Sequence, residues 1–191
     1  MNKNQLKILW LLTISNKYFH LSKIVFEESL KNWNIWMSEN IDDGIYDEET
    51  KWSDFNIIIP NLFLFFHWIE VLLKWYTLLY WENSRNTHNI WELYNNLQSK
   101  YNIETISILE KYIIKEKLIY PLNIFLKENN EDINMYYNFF KYSYNSNKFY
   151  NYLKLQYQEK KNNLLMKNII KDINTLNINS VAAYRKKFNT K

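Results

Sequence analysis

The sequence of 191 residues contains no cysteine, one glycine (Gly44) and two prolines (Pro60 and Pro121). Without cysteine the chain has no disulfide framework, no thiolate metal site and no cysteine nucleophile. A single glycine excludes the glycine-rich loops that bind phosphates and dinucleotides, and neither G-x-S-x-G nor H-E-x-x-H occurs. Because an all-β fold needs many tight turns built from glycine and proline, we expect long helices instead.

Apolar and aromatic side chains are abundant. Hydrophobic residues make up 47% of the chain and aromatic residues 18%, which excludes an intrinsically disordered protein. A chain of this length can enclose a core of its own and fits one domain. We predict a single helical domain over residues 1–180 and a short, basic, frayed tail over residues 181–191.

The formal net charge is +4, and the charges are unevenly distributed. Residues 39–54 are acidic, whereas residues 160–171 and 185–191 are basic. An excess of positive charge permits binding to nucleic acid or to another anionic surface. We expect the basic C-terminal face to contact an anionic partner; the alternative is that these charges lie on ordinary solvated helix faces.

Apolar residues recur with a helical period through most of the chain. A first helical segment is predicted at 6–36, with Tyr18, Leu21, Ile24, Val25 and Phe26 on its apolar stripe. The other predicted segments are a solvated loop at 39–54, a buried central helix at 60–81, a helix at 90–100 capped by Thr87, a helix at 103–127 broken before Pro121, and helices at 132–144 and 149–176. Pro60 is expected to begin the central helix, with Ser53 or Asp54 as an earlier N-cap.

The apolar segment 57–81 is long enough to span a bilayer. Against that interpretation, His67, Glu70 and Lys74 lie in its middle, where each ionisable group costs a few kcal/mol on insertion scales. We interpret the segment as the buried core helix of a cytoplasmic protein that does not bind membranes. A membrane-associated protein that uses this segment, or the short apolar run at 6–14, is the least favoured alternative.

A narrow polar stripe follows this helix at intervals of three and four residues, formed by His67, Glu70, Lys74 and Thr77. Glu70 and Lys74 are spaced for a favourable ion pair within one helix. One interpretation is a structural ion pair beside a core histidine, and the other is that the stripe lines a cleft between two protomers. Only His67 and Glu70 have the spacing of metal ligands on a helix, so we expect no metal and no cofactor.

Arg85 and His88 lie in a polar turn between two predicted helices, and Arg185 is the only other arginine in the sequence. A neutral imidazole can take a proton from a ribose hydroxyl, and a guanidinium can hold a phosphate, so the pair could cleave RNA without a metal. Two such turns that meet across a dimer would supply acid, base and charge stabilisation together. The alternative is that Thr87 caps the next helix and that Arg85 and His88 are solvated.

The apolar helix and the turn after it together resemble the HEPN superfamily. The helix carries Ile69, Glu70 and Lys74 in an I-E-x-x-x-K pattern, and the next helix opens with a T-H-N-I sequence at residues 87–90. The resemblance covers residues 21–101, and the aromatic and basic segment at 139–144 is weakly similar to some members.

The resemblance implies a compact helical bundle, commonly a homodimer, of the kind found in toxin–antitoxin, abortive-infection and CRISPR-related systems. Many members are metal-independent ribonucleases, which gives His88 the role of proton transfer and Arg85 that of phosphate binding. Active members place four to six residues between arginine and histidine, whereas two separate Arg85 from His88 here.

Two functions follow from these observations. The first is a HEPN-like protein that acts on RNA in a phage–host conflict. The lysines and aromatic residues interleaved at 136–157 could stack on bases, but a chain rich in tyrosine and lysine gives the same pattern by composition alone. The second is a catalytically inactive helical module that binds and regulates, or inhibits, a protein of a defence or anti-defence system, because aromatic residues are favoured at interfaces.

Overall fold

The computed structural model describes residues 3–32, 43–81, 87–101, 103–141, 144–145, 148–156 and 160–188. The α-helices in these ranges are α1 (Lys3–Lys31), α2 (Asp43–Thr50), α3 (Asp54–Trp81), α4 (Ile90–Tyr101), α5 (Glu110–Ile113), α6 (Leu122–Asn129), α7 (Tyr136–Lys141) and α8 (Lys160–Phe188). Short 3₁₀ helices cover Glu104–Leu109, Lys115–Lys117 and Ile133–Met135. Two-residue strands, β1 (Tyr144–Asn145) and β2 (Lys148–Phe149), pair antiparallel. The prediction of an all-α, single-domain bundle is confirmed.

Helix α3 is the centre of the bundle, as its apolar sequence predicts. Helices α1, α4, α7 and α8 pack around it, and Phe65, Phe66, Ile69 and Leu73 on α3 are completely buried. Within the described ranges α3 is the one helix long and apolar enough to cross a membrane by length and composition, and 67% of its most apolar window is buried inside the protein.

The predicted start of this helix at Pro60 is wrong. Helix α3 begins at Asp54, so Pro60 lies in its second turn, where its missing N–H removes one helical hydrogen bond. Ile57 and Ile58 before the proline are buried in the core, and the Asp54 carboxylate accepts a hydrogen bond from Asn162 Nδ2 of α8 at 2.7 Å. These tertiary contacts stabilise the first turn of α3 and offset the hydrogen bond that is lost at Pro60.

Helix α1 packs against α3 through a stripe that matches the predicted one only in part, since Phe26 is buried and Tyr18 and Val25 are partly buried against the core. Its buried residues, spaced alternately by four and three, are Ile8, Leu12, Ser15, Phe19, Ser22, Phe26 and Ser29. Leu21 and Ile24 of the predicted stripe are 50% and 54% exposed. The other buried positions were not predicted because their serines carry no apolar signal.

This packing gives a testable prediction at Ser15, which is completely buried. Replacing Ser15 by leucine should lower the free energy of unfolding by about 1–3 kcal/mol, because the larger side chain overfills a packed interface. Thr13 is exposed on the same helix, so Thr13→Leu should change that free energy by less than about 0.5 kcal/mol. Chemical denaturation of both variants measures the difference, and equal values would contradict the packing.

Three predicted segments differ from the observed ones. Most of the described part of the acidic segment is helical rather than a loop, since Asp43–Thr50 forms α2 and Thr50 is buried at its end. The predicted helix at 103–127 is divided into short pieces. Ile114 ends α5 with an extended backbone (φ −86°, ψ 120°). The helix predicted at 132–144 is limited to a 3₁₀ turn followed by α7.

The last helix is shifted toward the C-terminus. Residues 149–176 were predicted as helical, whereas α8 begins at Lys160 and continues to Phe188. Ser180 and Tyr184 are buried, and Ser180 Oγ lies 3.1 Å from the Tyr76 hydroxyl of α3. These contacts hold the end of α8 on the core, so the expected fraying from residue 181 is not observed up to Phe188.

Candidate functional site

The candidate site is built around one buried carboxylate. Glu70, in the middle of α3, is only 2% exposed, and three side chains contact its two oxygens. Oε1 lies 2.7 Å from Lys74 Nζ and 2.9 Å from His88 Nδ1. Oε2 accepts a hydrogen bond from the Tyr136 hydroxyl at 2.6 Å. Three chain segments, α3, the residues before α4 and the start of α7, therefore meet at Glu70.

Lys74 and His88 reach Glu70 in different ways. Lys74 is one helical turn after Glu70 on the same face of α3, so the predicted ion pair between them is confirmed. His88 lies two residues before α4, after the chain has reversed direction. The prediction separated the polar stripe of α3 from the turn that carries His88. The structure joins them in one cluster.

The start of α4 is fixed by polar side chains, but not as predicted. Asn89 is the N-cap, because its Oδ1 accepts a hydrogen bond from the Glu92 backbone N–H at 2.9 Å. Thr87, the predicted cap, instead accepts from the Asn89 N–H at 3.2 Å and forms a local turn around His88. The prediction of Thr87 as the N-cap is wrong, since Asn89 stands closer to the helix and offers the same kind of acceptor.

Tyr136 is brought to the site by a capped segment that was not predicted. Asp132 Oδ1 accepts from the Asn134 N–H at 2.8 Å, and Asn134 Oδ1 accepts from the Trp91 N–H at 2.9 Å. The first turn of α4 is thus tied to the segment that leads into Tyr136. Tyr136 was predicted only as part of an aromatic segment. The pattern of Asp132 and Asn134, two residues apart before α7, was the sequence signal that could have predicted where Tyr136 lies.

The surroundings of Glu70 stabilise its charged form. Burial raises the pKa of Glu70, but hydrogen bonds from Lys74 and Tyr136 and the charges of Lys74 and His88 outweigh this effect, so its pKa lies below the ordinary value of 4.5. Burial and the hydrogen bond to Glu70 raise the pKa of Tyr136, so its hydroxyl keeps its proton and donates. Glu70 is therefore a fixed anionic acceptor at neutral pH.

The two ring nitrogens of His88 have different surroundings, because Nδ1 contacts Glu70 and Nε2 does not. Its side chain is 72% exposed although Nδ1 contacts the buried Glu70. A carboxylate only accepts hydrogen bonds, so Nδ1 carries a proton and Nε2 is the nitrogen that can gain or lose one. Nε2 makes no hydrogen bond to any residue that the structure describes. An imidazole that is oriented by a carboxylate and keeps its second nitrogen available is an arrangement used in general acid–base catalysis.

Other predicted site residues have different environments. His67 lies 3.9 Å from Glu70 through its Nδ1, beside the cluster. Thr77 is buried and its hydroxyl donates to the Leu73 carbonyl, so it does not contribute to the cluster. Arg85 lies outside the described residues.

Several of the aromatic residues at 136–157 that could have stacked on bases are not accessible. Tyr136, Phe139 and Phe140 are buried in the core and cannot contact a ligand. Tyr137 of α7 is only partly buried, and its ring centre lies 6.1 Å from that of His88. Lys141 Nζ lies 5.1 Å from the centre of the same Tyr137 ring, so a second cation borders the cluster.

A cleft of about 910 Å³ lies elsewhere on the surface, and none of Glu70, His88 and Tyr136 lines it. Trp91 and Asn134, which link α4 to the segment before α7, form part of its wall. Lysines and acidic residues both line it, so the cleft has no single sign of charge. Its volume falls within the range of small-molecule sites.

No group of three or more histidine, aspartate or glutamate side chains that could hold a metal ion occurs within the described ranges. Glu70 is also poorly suited to bind one, because three donors already occupy its oxygens. The chemistry available at the cluster is proton transfer by imidazole next to fixed positive charge.

No protein-family model, curated protein or solved structure matches this chain. Membership of the HEPN superfamily therefore stays a prediction that rests on residues 69–90.

Proposed function

We propose that this chain is a HEPN-like protein that acts on RNA in a phage–host conflict and cleaves it without a metal ion. One observation carries the proposal: His88 is held at Nδ1 by the buried Glu70 carboxylate and exposes Nε2. The setting of phage–host conflict rests on the resemblance alone.

The proposed reaction uses the ribose itself as the nucleophile. The 2′-hydroxyl attacks the adjacent phosphorus, and imidazole transfers the proton that this hydroxyl loses or the proton that the leaving 5′-oxygen gains. His88 is the proton-transfer residue of this scheme, and Arg85 is assigned by the resemblance to the phosphate. In the homodimer that the resemblance implies, the two protomers would bring two such pairs together.

The charges around the cluster favour an anionic substrate. Glu70 is balanced by Lys74, so protonation of His88 gives the cluster a net positive charge. Lys141 adds a cation at the rim beside Tyr137. Positive charge that is already in place where the phosphate becomes more negative stabilises the transition state.

The experiment incubates the purified chain with a single-stranded RNA in excess EDTA. We expect cleavage into fragments with 2′,3′-cyclic phosphate and 5′-hydroxyl ends, and no cleavage of the same sequence in DNA, which lacks the 2′-hydroxyl. A chain that leaves the RNA intact, or that cleaves the DNA equally well, contradicts the proposal.

A second candidate is a catalytically inactive module that binds a protein of a defence or anti-defence system. The outer face of α1 favours it, because large apolar side chains are exposed there: Leu6 (53%), Trp10 (62%), Leu21 (50%) and Ile24 (54%). Exposed apolar side chains grouped on one helix face are typical of protein interfaces. A stoichiometric protein complex together with absent RNA cleavage would favour this function over the first.

A further inference from the structure

A second imidazole lies beside the same carboxylate. His67 Nδ1 is 3.9 Å from Glu70 Oε2, while His88 Nδ1 is 2.9 Å from Glu70 Oε1. The Tyr137 ring lies beside both, with its centre 6.3 Å from that of His67 and 6.1 Å from that of His88. Two histidines from different parts of the chain thus flank one buried anion and share one aromatic neighbour.

The His67 ring is held in place by packing rather than by hydrogen bonds. It stacks with Phe63 at an interplanar angle of 4° and meets the edge of Tyr18 with ring centres 4.6 Å apart. Nδ1 is buried and has no hydrogen-bond partner within the described ranges. The side chain is still 21% exposed, so part of it is accessible, and Nε2 is the ring nitrogen that remains to accept a proton.

We propose that His67 is a second proton-transfer residue of the site, so that one chain holds both the base and the acid for RNA cleavage. This inference rests on the proposed function. His67 Nε2 accepts the proton of the 2′-hydroxyl as the bond from O2′ to phosphorus forms. His88 Nε2, in its protonated form, donates its proton to the 5′-oxygen as the bond from phosphorus to O5′ breaks. The products are a 2′,3′-cyclic phosphate and a 5′-hydroxyl.

The environment of His67 suits a base. Burial lowers its pKa; Glu70 opposes this effect, while Lys74 and His88 lower the pKa further, so the net shift is downward. His67 is therefore neutral near pH 7 and can accept a proton. The titratable groups that face it from the neighbouring elements are Glu70 and Lys74 on α3, Tyr18 on α1, His88 before α4, and Tyr136 and Tyr137 on α7.

Two substitutions separate proton transfer from packing. His67→Phe keeps an aromatic ring between Phe63 and Tyr18, and it removes no hydrogen bond from Nδ1, which makes none to a described residue. His67→Gln removes the ring and keeps a polar group. If His67 only packs, the phenylalanine variant should keep its activity. If His67 transfers a proton, both variants should cleave RNA at least about 100-fold more slowly.

The assignment of base and acid is tested with a substrate whose leaving group needs no proton. In a 5′-bridging phosphorothiolate RNA, sulfur replaces the leaving 5′-oxygen and departs as a thiolate. The rate of His88→Ala on this substrate should return to within about tenfold of the wild-type rate, whereas His67→Phe and His67→Gln should stay at least about 100-fold slow. Thermal unfolding of each variant identifies any loss of folded protein.

The outcomes distinguish this inference from the proposed function. If His88→Ala slows ordinary RNA cleavage and His67→Phe does not, the inference is overturned and the proposed function stands. If neither substitution changes the rate, the proposed function fails as well. The phosphorothiolate substrate could instead restore the rate of the His67 variants and not that of His88→Ala. That result would make His67 the acid and His88 the base, and it would overturn the proposed assignment.

Discussion

Replacing His88 by alanine should slow RNA cleavage by about 100- to 10,000-fold, the range expected when a positioned acid or base is lost. The fold should tolerate the change, because the His88 side chain is 72% exposed. Glu70 also keeps its hydrogen bonds to Lys74 and Tyr136 in this variant. The free energy of unfolding should therefore fall by less than about 1 kcal/mol.

His20 provides the matched control for this substitution. It is an exposed histidine on α1. His20→Ala should leave both the cleavage rate and the free energy of unfolding unchanged, as initial rates in EDTA and chemical denaturation can show. Equal cleavage rates for His88→Ala and His20→Ala would show that His88 does not take part in the reaction.

Replacing Glu70 by alanine should lower the free energy of unfolding by about 3 kcal/mol or more. The substitution leaves the Lys74 ammonium, only 19% exposed, without its counter-ion and leaves the Tyr136 hydroxyl without its acceptor. Removing one member of a buried ion pair costs about 3–5 kcal/mol, because the charge that remains is poorly solvated. The cleavage rate of the folded fraction should also fall, since His88 Nδ1 then loses the carboxylate that holds it.

Two carboxylates with similar ligands serve as controls. Glu110 accepts a hydrogen bond from the Tyr94 hydroxyl and pairs with Lys117, but its side chain is 30% exposed, so Glu110→Ala should cost less than about 1 kcal/mol. Asp172 is 3% exposed and pairs with Lys111 and the Tyr112 hydroxyl, without any histidine in its contacts. Asp172→Ala should therefore destabilise the fold as Glu70→Ala does, while the folded fraction keeps its cleavage rate.

The stability that Glu70 contributes should depend on pH. Its pKa in the folded protein lies below the ordinary value of 4.5, so folding favours the charged form. The contribution is complete above about pH 4.5 and is lost as the pH falls through the lower, folded pKa. The difference in unfolding free energy between the wild type and Glu70→Gln should thus narrow below pH 4.5. A constant difference from pH 7 to pH 3 would contradict the lowered pKa.

Composition and periodicity predicted the architecture but not every helix end. The shortage of glycine and proline indicated an all-α fold, and the apolar run around Ile69 identified the central helix. The start of α3 at Asp54 could not be predicted from the local sequence, because the helical residues before Pro60 are stabilised by burial of Ile57 and Ile58 in the core. The face of α1 was predicted only in part: Phe26 is buried as expected, whereas Ser15 and Ser22 are buried at positions that a hydrophobic pattern does not mark.

The candidate site was predicted in parts. The spacing of Glu70 and Lys74 predicted their ion pair, and the polar turn before α4 identified His88 as a candidate site residue. What joins them is tertiary: His88 and Tyr136 are 18 and 66 residues from Glu70 in sequence. Periodicity within one helix contains no information about which distant side chain meets the carboxylate. The contacts of His88 and Tyr136 with Glu70 depend on how α4 and α7 pack against α3, which local sequence does not specify.

The most direct test of the central claim, that Glu70 acts on the reaction by orienting His88, is a double-mutant cycle on the rate of RNA cleavage. Rates are compared for the wild type, Glu70→Gln, His88→Ala and the double variant, in EDTA and under conditions in which all four are folded. Because Glu70 has nothing to orient once His88 is gone, the double variant should be no slower than His88→Ala alone. Two effects that multiply in the double variant, or a wild-type chain that does not cleave RNA, would contradict the claim.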